Sequence, residues 1–420
     1  MSASPLFQPL TLPNGSRLPN RLVKAAMEEG LAGRGQVPGR EFEHLYRRWA
    51  EGGVGLMLTG NVMVDPAALT GPGGVVLDAH SPLEGFRAWA QAARSSGGQV
   101  WMQINHPGRQ VFAAMGEVAL APSAVALDLG KHSSMFGLPR PMSEAEIVAV
   151  VARFATTARR AAEAGFDGVQ IHAAHGYLLN QFLSPLTNRR DDRWGGSLES
   201  RARLLIEVVR AVKAAVPAGF GIGVKLNSAD FQRGGFSEAD ARAVVELLNG
   251  EGLDLLELSG GSYESPAMQG RTADGRTLAR EAYFLEFARE LAGVATMPLM
   301  TTGGISRPAV AETVLASGVA LVGLGTALAM APELPRRWQT GEPAVAPRPH
   351  VGWKDKALAS LATMALVRRQ LQRMAAGKPP QAQTSPLWAL VTDQLRAKRL
   401  TRRYRDWRLA SAASASSVRA

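Results

Sequence analysis

An α/β chain that closes into a (β/α)8 TIM barrel and continues as a basic helical C-terminal extension is the architecture this sequence predicts. Three observations lead there. Eight short apolar runs alternate with longer helical patterns, the signature of repeated β-α units around a parallel sheet. Two long connections, 105–142 and 172–196, follow the third and fourth runs, at the strand ends where barrels carry their chemistry. The basic residues are concentrated near the end of the chain. With 420 residues, the sequence accommodates one large barrel plus an appendage.

The eight strands are expected at 22–26, 54–58, 100–104, 168–171, 222–226, 253–258, 298–301 and 320–323. The helices between them carry clear starts. Ser143 stands three before Glu146, and Ser237 three before Asp240. Each spacing predicts a reciprocal capping box ahead of an apolar periodic run. Ser306 precedes Arg307 and Pro308, which places proline in the first helical turn, where its missing N–H costs little. The expected division is a barrel over 1–346 and an extension over 347–420. In the extension, helices are expected at 356–374 and 387–408, and the Ala/Ser-rich end reads as disordered. The apolar tail residues Trp353, Leu361, Met364, Leu371 and Met374 are expected to pack on the barrel.

Charge follows this division. From Arg348 onward there are 15 Lys/Arg against Asp355, Asp393 and Asp406, a formal charge of +12. Of the total 47 bases and 36 acids, 32 and 33 remain for the body, which is near neutral. A nucleic-acid reading would rest on the tail alone, and nucleic acid is not the expected partner. The chain contains no cysteine, which excludes disulfides, iron–sulfur clusters, thiolate zinc sites and a thiol nucleophile within it. The first twenty residues lack a charged stretch leading into an apolar run, and no run reaches membrane-span length. A cytoplasmic location is the expectation.

Polar residues gather just past the apolar runs. The third run, VWMQINHPGRQ, ends with Gln103 and His106, and the fourth leads into His172, His175 and Tyr177. At a barrel's catalytic rim, two imidazoles beside a phenol can hold an oxygen and supply a proton. A zinc site would need a third ligand, which His106 or an acid could supply, but HxxH without the HExxH pattern does not point to one, so no metal is expected. Glycines follow the seventh and eighth runs, in TTGGI and GLGTAL, where bare backbone can approach a phosphate. No GxGxxG lies between a strand and a helix, so a dinucleotide-binding Rossmann domain is not indicated.

In order, NRLVKAAM, QINHPGR, IHAAHGYLLNQFLSPLTNRRDDRWGGSLESRARLL, LELSGG, TTGGI and GLGTAL resemble the Old Yellow Enzyme family of FMN-dependent NAD(P)H oxidoreductases over about residues 5–345. The resemblance implies FMN as cofactor, NADPH or NADH as reductant, and a small-molecule enone or related electrophile as substrate. It also implies roles by position. Gln103 would bond the flavin pyrimidine edge, with Gly60 against the ring and Ala25, Ala26 and Met27 beneath it. Gly303, Gly304, Gly325 and Thr326 would cradle its phosphate. His172 and His175 would grip the substrate carbonyl oxygen, and Tyr177 would donate the proton. Three positions depart from the family pattern. Glu28 stands where Thr or Cys is usual at the flavin carbonyl edge, Lys225 where Arg is frequent near flavin N1, and Thr326 where the phosphate cradle commonly has Arg.

The leading expectation is a stand-alone ene-reductase acting on the C=C bond of α,β-unsaturated carbonyls. Two readings stand beside it. One is a flavoenzyme reducing nitro compounds or quinones. The other is a non-catalytic flavin-binding module docked through its basic tail. Self-association is left open.

Overall fold

A computed structural model describes residues 4–267, 281–381 and 383–417. Eight parallel strands close on themselves: β1 (Leu22–Lys24), β2 (Leu56–Leu58), β3 (Gln99–Asn105), β4 (Gly168–Ala173), β5 (Gly221–Asn227), β6 (Leu255–Ser259), β7 (Leu299–Thr301) and β8 (Leu321–Leu324). Each pairs with its chain neighbours, β8 with β1 and β3 with β4, so the sheet has no free edge within the ring. The eight expected strands are therefore present, with ends shifted by at most two residues. The first stops at Lys24, so Ala25, Ala26 and Met27 lie in the loop beyond it.

The helices that follow the strands are α1 (Arg40–Glu51), α2 (Glu84–Ala93), α3 (Glu144–Glu163), α4 (Leu198–Ala215), α5 (Glu238–Leu248), α6 (Leu285–Leu291), α7 (Pro308–Ala316) and α8 (Thr326–Met330). Both capping boxes form, at Ser143–Glu146 and at Ser237–Asp240. Arg307, rather than Ser306, is the N-cap of α7, and Pro308 opens the helix. In α1, Phe42, Leu45, Tyr46, Trp49 and Ala50 are buried at helical spacing, and Trp49 Nε1 donates to Leu328 O at 2.9 Å, tying α1 to α8.

Inside the barrel, side chains two apart on a strand share a face. The lower layer is apolar. Trp101 fills it, and a Cβ at Gly221 would lie 2.2 Å from the indole, so only glycine admits this ring. A two-stranded hairpin, Leu10–Thr11 with Arg17–Leu18, buries Leu12 and Leu18 in the same cluster and closes the bottom. The layer above is polar and opens on the other end.

The extension forms α9 (Lys356–Ala375) and α10 (Pro386–Ser417). Leu371 and Met374 join the main core, as expected. Trp353 instead packs with Val351, Ala359, Leu366 and Ala389 in a cluster of the extension's own. The last helix runs to Ser417, past the Arg408 end and through most of the Ala/Ser-rich segment read as disordered. Helix propensity explains this, because alanine is the strongest helix former. Among the described residues, no helix is long and apolar enough to cross a membrane.

Candidate active site

Strand alternation builds the polar layer at the upper end of the barrel. Gln103 of β3, Gln170 of β4, Lys225 of β5 and Glu257 of β6 form one buried chain. Gln103 Nε2 donates to Gln170 Oε1 at 2.5 Å, and Gln170 Nε2 donates to Glu257 Oε2 at 2.8 Å. Lys225 Nζ lies 3.0 Å from Glu257 Oε1. The Gln103 backbone is held in turn, its N–H donating to Thr59 Oγ1 at 2.9 Å. The expected pair Gln103 and Lys225 is thus connected through Gln170 and Glu257. Sequence reasoning missed both connectors, although a Gln and a Glu inside the apolar runs GVQI and LLEL were the signal.

One step further up stand the histidines. His172 is the second-to-last residue of β4, His175 lies in the turn beyond it, and Tyr177 caps the short helix Leu178–Leu183. Their ring centroids are 4.9 Å apart for His172 and His175, and 4.8 Å for His172 and Tyr177, both edge-on. His175 adopts φ 60°, a left-handed conformation uncommon for a residue with a side chain. The turn is pinned, since His175 N donates to Asn227 Oδ1 at 3.0 Å and Gly176 N to Asn180 Oδ1 at 2.7 Å.

Electrostatics set the protonation states. Burial, then neighbouring His175 and Lys225, hold His172 well below the usual histidine value. Burial and Lys225 do the same for His175. Both rings are neutral at physiological pH. His172 Nδ1 accepts from Ala174 N at 3.2 Å, which leaves the ring proton on Nε2. His175 Nε2 lies 2.7 Å from Ser259 Oγ. Tyr177 and Tyr263 hydroxyls meet at 3.0 Å. Burial, then Tyr263 and Glu28, push Tyr177 well above the usual phenol value, so it keeps its proton.

The β1 loop carries the remaining expected residues. Ala25 N donates to Leu324 O at 3.0 Å, which seats the loop on β8. Glu28 accepts from Thr70 Oγ1 and is raised, first by burial and further by Glu29. Beside it lies a buried cluster that sequence reasoning missed. Lys24 Nζ donates to Leu58 O at 2.7 Å, lies 3.9 Å from Glu29 Oε1 and sits 4.6 Å above the Trp49 ring. Burial lowers Lys24 to about 8 despite Glu29. Glu29 also accepts from Tyr46 Oη and from Gly60 N. A Cβ at Gly60 would fall 2.4 Å from Met27 O, so glycine is required for the β1 and β2 ends to meet.

At the β7 and β8 ends, Gly303 and Gly304 take φ 121° and 68°, and space for a Cβ at Gly325 is clear of any atom within 4 Å. Thr326 is exposed at the start of α8. Cationic groups are nearby. Ser306 accepts from Arg348 Nε at 3.1 Å, and Arg307 Nε pairs with Glu281 at 2.6 Å. A buried amide, a buried ammonium and an open backbone at Gly325, set across one barrel mouth, suit a heterocycle with an amide edge and a phosphate tail, while Tyr283 faces Gly303 and Gly304. The residues present fit FMN.

The chain also resembles known proteins. A family described as NADH:flavin oxidoreductase / NADH oxidase matches residues 5–344. An NADH-dependent flavin oxidoreductase of Neonectria sp. (strain DH2) is 42% identical over 358 residues, covering 78% of this chain and 46% of the relative, so this chain spans about half of its length. One of Hypocrea jecorina (strain QM6a) is 37% identical over 352 residues, covering 78% of this chain and 87% of the relative. The Old Yellow Enzyme homologue from Zymomonas mobilis superposes with a TM-score of 0.70 at 27% identity, covering 81% of this chain and 94% of that one. The chain belongs to the NADH:flavin oxidoreductase / NADH oxidase family, the oxidoreductases of Old Yellow Enzyme type whose cofactors are FMN and a nicotinamide nucleotide.

Proposed function

We propose that the chain is an ene-reductase that reduces the C=C bond of α,β-unsaturated carbonyl compounds. The observation that carries this reading is the grouping of two neutral imidazoles and a protonated phenol, with ring centroids 4.8–4.9 Å apart, at the barrel mouth. FMN, when bound and reduced by NADH or NADPH, supplies the hydride. Gln103 would hold its pyrimidine edge, Lys225 and Glu28 would flank its polar rim, and Ala25, Ala26, Met27 and Gly60 would lie against the ring. Gly303, Gly304, Gly325 and Thr326 would receive the phosphate. Thr326 brings no charge, so backbone amides would hold the phosphate, with Arg307 and Arg348, both paired with Glu281, the nearby cations.

His172 and His175 bind the substrate carbonyl oxygen through N–H donors. Negative charge grows on that oxygen as hydride reaches the β-carbon, and donors already in place stabilise it without reorganising. Neutral imidazoles serve here because each keeps a donor without placing a buried cation beside Lys225. Tyr177 then delivers its hydroxyl proton to the α-carbon, with Tyr263 3.0 Å away to hold the phenol in place.

The test uses the reduced enzyme mixed anaerobically with 2-cyclohexenone. Tyr177→Phe is expected to slow flavin reoxidation by about a hundredfold or more. Equal rates in wild type and variant would remove Tyr177 from the reaction.

A further inference from the structure

The extension lies beyond the matched family region, and its last helix, α10, has two sides of different character. The inner side is tied to the barrel. Arg396 donates to Gly30 O at 3.0 Å in the loop after β1, and Tyr404 Oη donates to Pro66 O at 2.9 Å in the loop after β2. Arg408 Nε pairs with Glu117 at 2.6 Å in the loop after β3. Leu400 and Tyr404 are buried, Tyr404 among Met63, Leu69, Val76 and Met115. These anchors decide which side of α10 is left to solvent.

The outer side carries a single row. Leu387, Val391 and Leu395 are followed by Lys398, Arg402 and Arg405, and Leu409 closes it. Successive members stand three or four residues apart, which keeps them on one side of a helix. The row is about 33 Å long at helical rise. All its members are exposed, Leu387 and Leu395 by 62% and Leu409 by 71%. Trp388 and Arg399 are exposed beside it, and the Arg369 guanidinium lies 3.9 Å from the Trp388 ring centre. Among the exposed residues from 387 to 409, Asp406 is the one acid. Asp393 is turned to Arg368, at 3.1 Å. Single exposed leucines are ordinary, whereas large apolar side chains aligned in a row mark a contact surface.

We propose that the outer side of α10 docks on an anionic lipid surface. The aliphatic side chains and Trp388 enter the headgroup boundary, and the neighbouring lysine and arginines reach the lipid phosphates. Interfacial helices combine these same residue types. Nucleic acid would match the bases but leave Leu387, Val391, Leu395 and Leu409 without contact. A second copy would match the leucines, but a two-fold pair presents the same side twice and brings the bases no acid besides Asp406. The docking is independent of which acceptor the flavin reduces.

In the test, the full-length holoenzyme is sedimented with phosphatidylcholine vesicles that contain or lack phosphatidylserine. Wild type is expected to bind the phosphatidylserine vesicles far more tightly, and to release them as salt rises. A basic residue at an anionic surface contributes about fivefold to partitioning. The triple change Lys398→Gln, Arg402→Gln and Arg405→Gln should therefore weaken binding by about a hundredfold. The double change Leu387→Ser and Leu395→Ser should weaken it by about tenfold or more. Bound-flavin absorbance reports the fold of each variant, and if one does not fold the other decides. Wild type that stays in the supernatant with the anionic vesicles overturns the proposal, as does vesicle binding that the serine variant leaves unchanged. Binding of a duplex oligonucleotide in place of vesicles would assign the bases to nucleic acid. A dimer that the serine variant dissolves, without vesicle binding, would assign the row to a second copy. Either result overturns the proposal.

Discussion

Replacing Lys24 with methionine removes a buried cation while keeping most of its volume. Burial lowers Lys24 from 10.5 to about 8 in the folded protein, with Glu29 opposing the effect. The difference of about 2.5 pH units, at about 1.4 kcal/mol each, amounts to roughly 3 kcal/mol. Below pH 8 the folded and unfolded chains both carry this proton, and the folded state bears the full penalty of burying it. Between pH 8 and 10.5 the unfolded chain binds a proton that the folded chain has released, so stability rises with pH. From pH 8 to 9.5 the gain specific to Lys24 is about 1–2 kcal/mol. Guanidinium unfolding followed by tryptophan fluorescence reads it, since Trp49 adjoins the ammonium and the chain has no thiols to complicate alkaline conditions. Wild type is expected to gain this amount relative to Lys24→Met over the interval. Equal gains in the two proteins would refute the buried, charged Lys24.

Other consequences are open to direct measurement. Because His172 and His175 are held neutral, the rate of enone reduction should show no step as pH falls through 6.5. A step there that disappears in His172→Asn would contradict the neutral donor pair. His175→Ala removes one oxygen donor and should lower the enone rate by about a hundredfold, read by stopped-flow absorbance. Gly221→Ala places a methyl 2.2 Å from the Trp101 ring and should destabilise the barrel by about 1–3 kcal/mol in the same unfolding assay. Charge reversal at Arg408→Glu should lower the unfolding midpoint, and adding Glu117→Arg should recover part of the loss. Equal midpoints would release α10 from the β3 loop.

The barrel was legible because its signals are local. Alternating apolar runs and serine caps announce themselves within a few residues, and Ser143 and Ser237 cap as their spacing implies. His172, His175 and Tyr177 were legible because one short segment holds all three. Gln170 and Glu257 were harder, because each reads as an isolated polar residue until strand register places it beside Gln103 or Lys225. The Lys24–Glu29–Tyr46 cluster joins β1 to α1 through a turn that no local pattern specifies. The tail's position was legible only in part: Leu371 and Met374 join the core as expected, but the seating of the last helix was not foreseen. No local pattern announced that Arg396, Arg403 and Arg408 bond to the barrel's own loops. Such contacts span 291 to 371 residues of sequence and depend on a fold already formed.

Anaerobic titration of the FMN-loaded enzyme with NADH and with NADPH, followed by addition of 2-cyclohexenone, tests the ene-reductase reading most directly. The flavin absorbance near 450 nm is expected to bleach with at least one nucleotide and to recover when the enone is added. Bleaching that the enone leaves unchanged would contradict the proposed reaction, and a protein that binds no FMN would contradict the site itself.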